Sequence, residues 1–295
     1  MWTDSGFTTP PAGADLSRLG QKGENIVTTI PEDWIKSAVA ITPGFETAGD
    51  PYQGVAGDFD RMGISCGALQ WNIGSDSLQP MVRAVGQPVV LRTMPVHGAD
   101  MWQACTNSVS KGLAIVRGWQ SRTKLKAKPA AELRALMGSR EMRAQQDKRI
   151  QAVAAAAHKQ GEKWAQESGD GPQSKRTFCW FFDLVTQNGG LEGLTASKVK
   201  AFIAANAPDK ADDLICDFLA GVKGNGGHAK DARANAAAWR NKAAGDKLTL
   251  LCASYLRSMT SKPEWRHVVI NRKATIAMGR GRVNSTDWNL SRHGL

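Results

Sequence analysis

The chain has 295 residues, enough for one large domain or two smaller ones, and 42% of them are hydrophobic, so it can bury a core. No stretch approaches the roughly 18 consecutive apolar residues of a membrane span, which excludes a helical membrane protein. The formal net charge of +11 predicts attraction to polyanions, among which nucleic acid, anionic lipid and bacterial cell wall all qualify.

Residues 1–30, with Pro10, Pro11 and several glycines, lack periodicity and read as an extended arm or linker. They also lack a basic segment followed by an apolar one, so no secretory signal peptide is expected. A helix is expected from Pro31, with Glu32 and Asp33 in its first turn and Trp34, Ala38, Val39 and Ile41 at helical spacing. Pro43-Gly44 closes it and delivers Phe45-Glu46. Residues 47–74 are rich in glycine, aspartate and aromatic residues and fit a small β-hairpin lobe.

From Leu78 the helical pattern returns. One or two long helices are expected over 130–168, ending at Ser168-Gly169-Asp170-Gly171-Pro172, and further helices at 174–188, 195–206, 209–222 and 229–257. The glycine-rich stretch 221–227 reads as a loop, because no G-K-[ST] closes it as a phosphate cradle. Residues 275–283 read as a turn or short hairpin. The basic residues between Arg117 and Lys128, and those from Arg140 to Arg149, read as solvated helix faces that attract anionic polymers. No nucleic-acid-binding motif accompanies them, so nucleic acid is a disfavoured partner.

The five cysteines (Cys66, Cys105, Cys179, Cys216, Cys252) form no C-x-x-C pair, and the five histidines lack any H-E-x-x-H spacing. Neither a metal site nor a cofactor is expected. Cys179 and Cys216 lie in apolar runs and read as core.

Two carboxyl groups are the chemistry that remains. Glycoside hydrolysis needs one to protonate the leaving oxygen and another to activate water or attack the sugar. The acid should sit among apolar groups at the lip of a cleft. Glu46 fits, following Phe45 at a helix end whose dipole disfavours negative charge. The second carboxylate should come from a polar segment across the cleft, where Asp58 and Asp60 lie. Taken singly, Asp60 reads as an ordinary turn residue before it reads as a base, and Glu46 as an exposed helix end; the combination favours the chemistry.

Together these residues resemble the lysozyme superfamily, in which a catalytic glutamate ends a helix and a β-hairpin with hydroxyl and small residues follows. The segment Asp60-Arg61-Met62-Gly63-Ile64-Ser65-Cys66-Gly67-Ala68 is similar to the chitosanase branch, where an aspartate base precedes a threonine by five positions. Here a serine, Ser65, stands at that place. Gly67-Ala68-Leu69-Gln70-Trp71 resembles the Gly-Leu-Met-Gln segment of lytic transglycosylases. The resemblance covers about thirty residues. It implies a mainly α, lysozyme-like helical domain over 31–295, with the catalytic helix and hairpin lobe at 31–90 and a helical lobe at 91–295. It further implies Glu46 as general acid, Asp60 as general base (with Asp58 beside it) and Ser65 as the hydroxyl that positions water. Gln70 and Trp71 would line the glycan groove.

Phe181 to Gly190 resembles the helix end that borders the sugar groove in chitosanase-like enzymes, with Gln187 and Asn188 as sugar ligands. Asn188-Gly189 reads equally as an ordinary helix cap. The tail from Trp265 resembles segments of cell-wall hydrolases, including lysozyme domains of type VI secretion effectors. The expected substrate is then the β-1,4-linked glycan strand of peptidoglycan, reached in the periplasm of a target cell after delivery by a secretion apparatus. An immunity protein would be a further partner. A chitosanase-like hydrolase or a lytic transglycosylase is the near alternative. A non-catalytic polyanion- or nucleic-acid-binding module is the alternative of another class.

Overall fold

The structure is a computed structural model that describes residues 29–46, 49–207 and 210–295. The arm expected over 1–30 therefore lies outside the described residues, apart from residues 29 and 30. The described residues are mainly helical, with three small antiparallel sheets. In chain order they form α1 (Glu32–Ile41), β1 (Val55–Ala56), β2 (Ser65–Cys66), β3 (Trp71–Asn72), α2 (Gln79–Val85), α3 (Gln87–Thr93), α4 (Gly98–Thr106) and α5 (Val109–Gly118). The hairpin β4 (Gln120–Ser121) and β5 (Lys124–Leu125) follows, then α6 (Ala127–Gly138), α7 (Arg140–Ser168), α8 (Lys175–Asn188), α9 (Ala196–Ala205) and α10 (Ala211–Ala220). The chain finishes with α11 (Gly227–Trp239), α12 (Asp246–Ser258), α13 (Arg266–Met278), β6 (Arg280–Val283) and β7 (Thr286–Asn289).

Two compact units emerge. Among the described residues, the first comprises 49–152 and the second 29–46 with 153–295, so the boundary falls inside α7. In the first unit β2 is the central strand of a three-stranded sheet, paired Val55↔Cys66 on one side and Cys66↔Trp71 on the other. Ile64, Cys66, Ile73 and Leu78 are fully buried around it, as are Leu133, Leu136 and Met137 of α6.

The second unit is built around α8. Phe178, Cys179, Trp180, Phe181 and Phe182 are all completely buried, so the middle of this helix is covered on every side. Helices α1, α12 and α13 pack against it. Trp180 Nε1 donates to Ser254 Oγ of α12 at 2.9 Å, which removes the cost of burying a lone donor. Pro31 stands at the N-cap of α1, Glu32 and Asp33 occupy its first turn, and Ala38, Val39 and Ile41 face inward.

Three stretches differ from the sequence expectation. Residues 229–257 form two helices: Arg240 leaves helical geometry and pairs with Asp213 and Asp217 of α10, and Asn241 and Gly245 take positive φ. The basic run after Arg117 contains the β4–β5 hairpin, with Arg122 at φ 57° in its turn. The tail stays helical through Met278 and ends at Gly279 in left-handed geometry. A hairpin then follows, and its turn residues Asn284 and Ser285 both have positive φ, as a type I′ turn requires.

Candidate functional site

The sequence-selected residues fall in two groups. Glu46, Gln187 and Asn188 belong to the second unit, whereas Asp58, Asp60, Ser65, Gln70 and Trp71 belong to the first.

After α1 the chain turns tightly, with Phe45 N donating to Ile41 O at 3.2 Å and Glu46 N to Pro43 O at 2.9 Å. Gly44 makes this turn possible, since a Cβ there would stand 2.4 Å from Ala40 O. Phe45 is 3% exposed, meets Trp288 edge-on with ring centres 4.8 Å apart, and its carbonyl accepts from Asn284 Nδ2 at 2.7 Å. The ring thus anchors the residue that carries Glu46. The sequence reading placed Glu46 among apolar groups. Its carboxylate, 31% exposed, instead accepts from Arg272 Nη1 at 3.0 Å.

Arg272 is the hub of a network that the sequence reading missed. Its Nε donates to Asp183 Oδ1 at 2.8 Å, its Nη2 to Thr42 O at 2.7 Å, and its guanidinium carbon lies 5.0 Å from the centre of the Phe45 ring. Lys273 Nζ donates to the other oxygen of Asp183 at 3.1 Å. Asp183 and Lys273 are buried. Burial raises the Asp183 carboxyl, but Arg272 and Lys273 outweigh it and hold the group below its usual range. Burial pulls the Lys273 ammonium down to about 8, partly countered by Asp183. One signal was visible in the sequence: a lone aspartate within Phe181-Phe182-Asp183-Leu184 and an Arg-Lys pair within an apolar helix each demand a partner. Gln187 lies one turn beyond Asp183 on the same face of α8. Asn188 ends the helix, and Gly189 caps it at φ 71°.

In the first unit, residues 57–64 link β1 to β2. Asp58 ties this loop down. Its Oδ1 accepts from Gly63 N at 2.7 Å, its Oδ2 from Arg117 Nε at 2.7 Å, and its own N–H donates to Gln120 Oε1 at 2.8 Å. Gln120 Nε2 closes the loop by donating to Gly63 O at 2.7 Å. Gly57 must be glycine, because a Cβ there would reach 2.1 Å from Thr123 O of the β4–β5 turn.

Asp60 is different. It is half-buried, its Oδ1 accepts from Met62 N at 3.1 Å, and no cation pairs with it among the described residues. Burial raises its carboxyl above the usual value, and the charge of Asp58 adds to that. Phe59, between the two aspartates, is 60% exposed.

Ser65 is buried in the central strand, and Trp71 is a core residue at 7% exposure. Gln70 occupies the β2–β3 turn at φ 57°, with its Nε2 donating to Gly67 O at 3.2 Å. Gln146 of α7, fully buried, fixes that turn. Its Oε1 accepts from Ala68 N at 3.0 Å, and its Nε2 donates to Met137 O at 2.8 Å. A Cβ on Gly67 would come within 2.6 Å of Gln146 Oε1, which accounts for the small residue.

Comparison of the chain with protein-family models, with curated proteins and with solved structures finds no match.

Proposed function

We propose that the protein is a muramidase with a lysozyme-like fold, hydrolysing the β-1,4-linked glycan strand of peptidoglycan with Glu46 as general acid and Asp60 as general base. The observation that carries the reading is Asp60, a half-buried carboxyl with no cationic partner among the described residues, displayed on a loop immobilised by Asp58, Arg117 and Gln120. Desolvation of this kind strengthens a carboxylate as a base and is costly to maintain without a use. Glu46 supplies the second carboxyl, steered by Arg272 and anchored through Phe45. Asp60 takes a proton from water, which attacks the anomeric carbon. Glu46 gives a proton to the departing oxygen, and the configuration inverts. Gln70, Gln187 and Asn188 are assigned to binding sugar, whereas Ser65, expected to position water, is buried in the sheet as Trp71 is.

A second reading exchanges the roles, because the arginine sits on Glu46 and the proton-retaining environment surrounds Asp60. Substrates with activated leaving groups separate the two, since they need no general acid. If Glu46 is the acid, Glu46→Gln protein retains cleavage of an aryl glycoside and Asp60→Asn protein loses it. The reverse pattern assigns the roles the other way. The reading as a whole is tested by turbidity of purified peptidoglycan. The parent should clear the suspension and folded Glu46→Gln protein should not, whereas equal clearing by both would remove Glu46 from the reaction.

A further inference from the structure

A cavity of about 430 Å³ opens beside β7 and the single 3-10 turn that follows it. Thr286, Asp287, Trp288, Asn289, Ser291 and Arg292 line it. Side chains alternate between the two faces of a strand, and consecutive β7 residues all line this space, so it runs along the strand's edge. Strand β7 pairs only with β6 among the described residues, which leaves the backbone groups of its outer edge available to a ligand.

The chemistry of the lining is specific. The lining holds one indole, two hydroxyl side chains, an amide, a carboxylate and a guanidinium. An indole among such groups suits a sugar ring, which has C–H bonds on its faces and hydroxyls around its rim. Trp288 is fixed in place: its ring meets Phe45 edge-on, and a Cβ on Gly44 would approach its Cη2 to 3.0 Å. Its Nε1 is buried and meets no acceptor among the described residues. Asp287 is occupied by Arg282 at 3.2 Å. Arg292 is exposed and has no acidic partner among the described residues, its Nε reaching only His293 Nε2 at 3.1 Å.

We infer that this cavity is a sugar subsite, in which an amino-sugar ring of the glycan stacks on Trp288 and a carboxylate substituent on that ring pairs with Arg292. The inference rests on the muramidase reading for the polymer to which the ring belongs. Within the second unit it connects the subsite to the proposed acid through one contact, since Trp288 packs on Phe45 and Phe45 precedes Glu46.

The test is calorimetric binding to the full chain carrying Glu46→Gln, so that nothing is turned over. One probe is a muramic-acid-containing tetrasaccharide, and the other is the tetrasaccharide of N-acetylglucosamine, which has no carboxylate. Trp288→Ala should weaken both by roughly tenfold, the weight of one aromatic platform. Trp288→Phe should restore most of the affinity, because it keeps a ring against Phe45. Arg292→Ala should erase only the preference for the acidic sugar. If Trp288→Ala does not fold, Asn289→Ala, which alters an exposed residue, should still weaken both probes. Unchanged affinity in these variants, or no binding of either probe to the unsubstituted cavity, overturns the inference. Cleavage by the parent is assayed separately. Binding without cleavage supports the subsite and sinks the hydrolase reading, while cleavage with a silent Trp288→Ala sinks the subsite alone.

Discussion

Glu46 and Asp60 carry the same functional group in opposite surroundings. Glu46 stands at the surface end of a buried ion network, one guanidinium away from Asp183 and Lys273 in the core of the second unit. Asp60 sits on a loop of the first unit where Arg117 serves Asp58 and the Arg61 carbonyl, and burial is the largest influence on the proton of Asp60. The comparison teaches that a carboxylate's chemistry is assigned by its neighbours. In the second unit charge is spent on orientation. In the first, the neighbouring aspartate is engaged as a structural tie, while Asp60 has no cationic partner among the described residues.

The comparison can be broken most severely at the two carboxyls. Glu46→Gln and Asp60→Asn should each lower hydrolysis of peptidoglycan by ~10²–10⁴-fold, the usual weight of a general acid or base. Circular dichroism should report an unchanged fold in both. NMR of the first-formed reducing end should show the α anomer, because a single displacement at a β-linked sugar inverts. A β anomer would remove Asp60 from the role of water-activating base.

The next effect is on stability and separates Asp183 from Asp58. Asp183→Ala leaves Lys273 and Arg272 without their shared buried counter-charge and should cost about 3–5 kcal/mol in urea unfolding. Asp58→Ala breaks a pair whose arginine is 47% exposed, and its charge contribution should be only ~0–1 kcal/mol after screening. Asp58→Ala should lower activity more than it lowers stability, because the loop that presents Asp60 loosens.

The pH dependences are smaller and share one sign, in separate windows. Asp183 is held below its ordinary 3.8, so its contribution is complete above that value and is lost as pH falls through the lower folded one. Lys273 titrates at about 8 in the folded protein and at 10.5 when unfolded, so across that window the unfolded chain binds more protons. Its contribution therefore rises with pH from 8 to 10.5. Urea midpoints measured across pH in the parent and in Lys273→Met protein should show the parent's extra slope in that window. With Asp60 as the proposed base, the acidic limb of activity should lie above the ordinary carboxyl value of 3.8 and vanish in Asp60→Asn protein.

Much of the scaffold was legible from local pattern. The proline start of α1, the apolar run of α8 and the break after Ser168 all correspond to elements of the structure. Glycine-rich residues 47–74 contain three two-residue strands. The break between α11 and α12 was masked by the Ala-, Lys- and Arg-rich residues around it, although Asn241 and Gly245, which take positive φ there, were a signal for it. The β4–β5 hairpin was hidden by its charge, which reads as a solvated surface in either conformation. Among the site residues, the sequence could mark carboxyls by type and position. It could not show that Arg272 would reach Glu46 from 226 positions away, or that Asp58 would be engaged by Arg117.

The central claim is hydrolysis of the glycan strand, and mass spectrometry of purified peptidoglycan digested with the parent protein tests it most directly. Soluble fragments with reducing muramic acid ends are predicted, and they should be absent from digests with Glu46→Gln or Asp60→Asn protein. Fragments ending in 1,6-anhydro sugars, or an undigested polymer after prolonged incubation, would contradict the account.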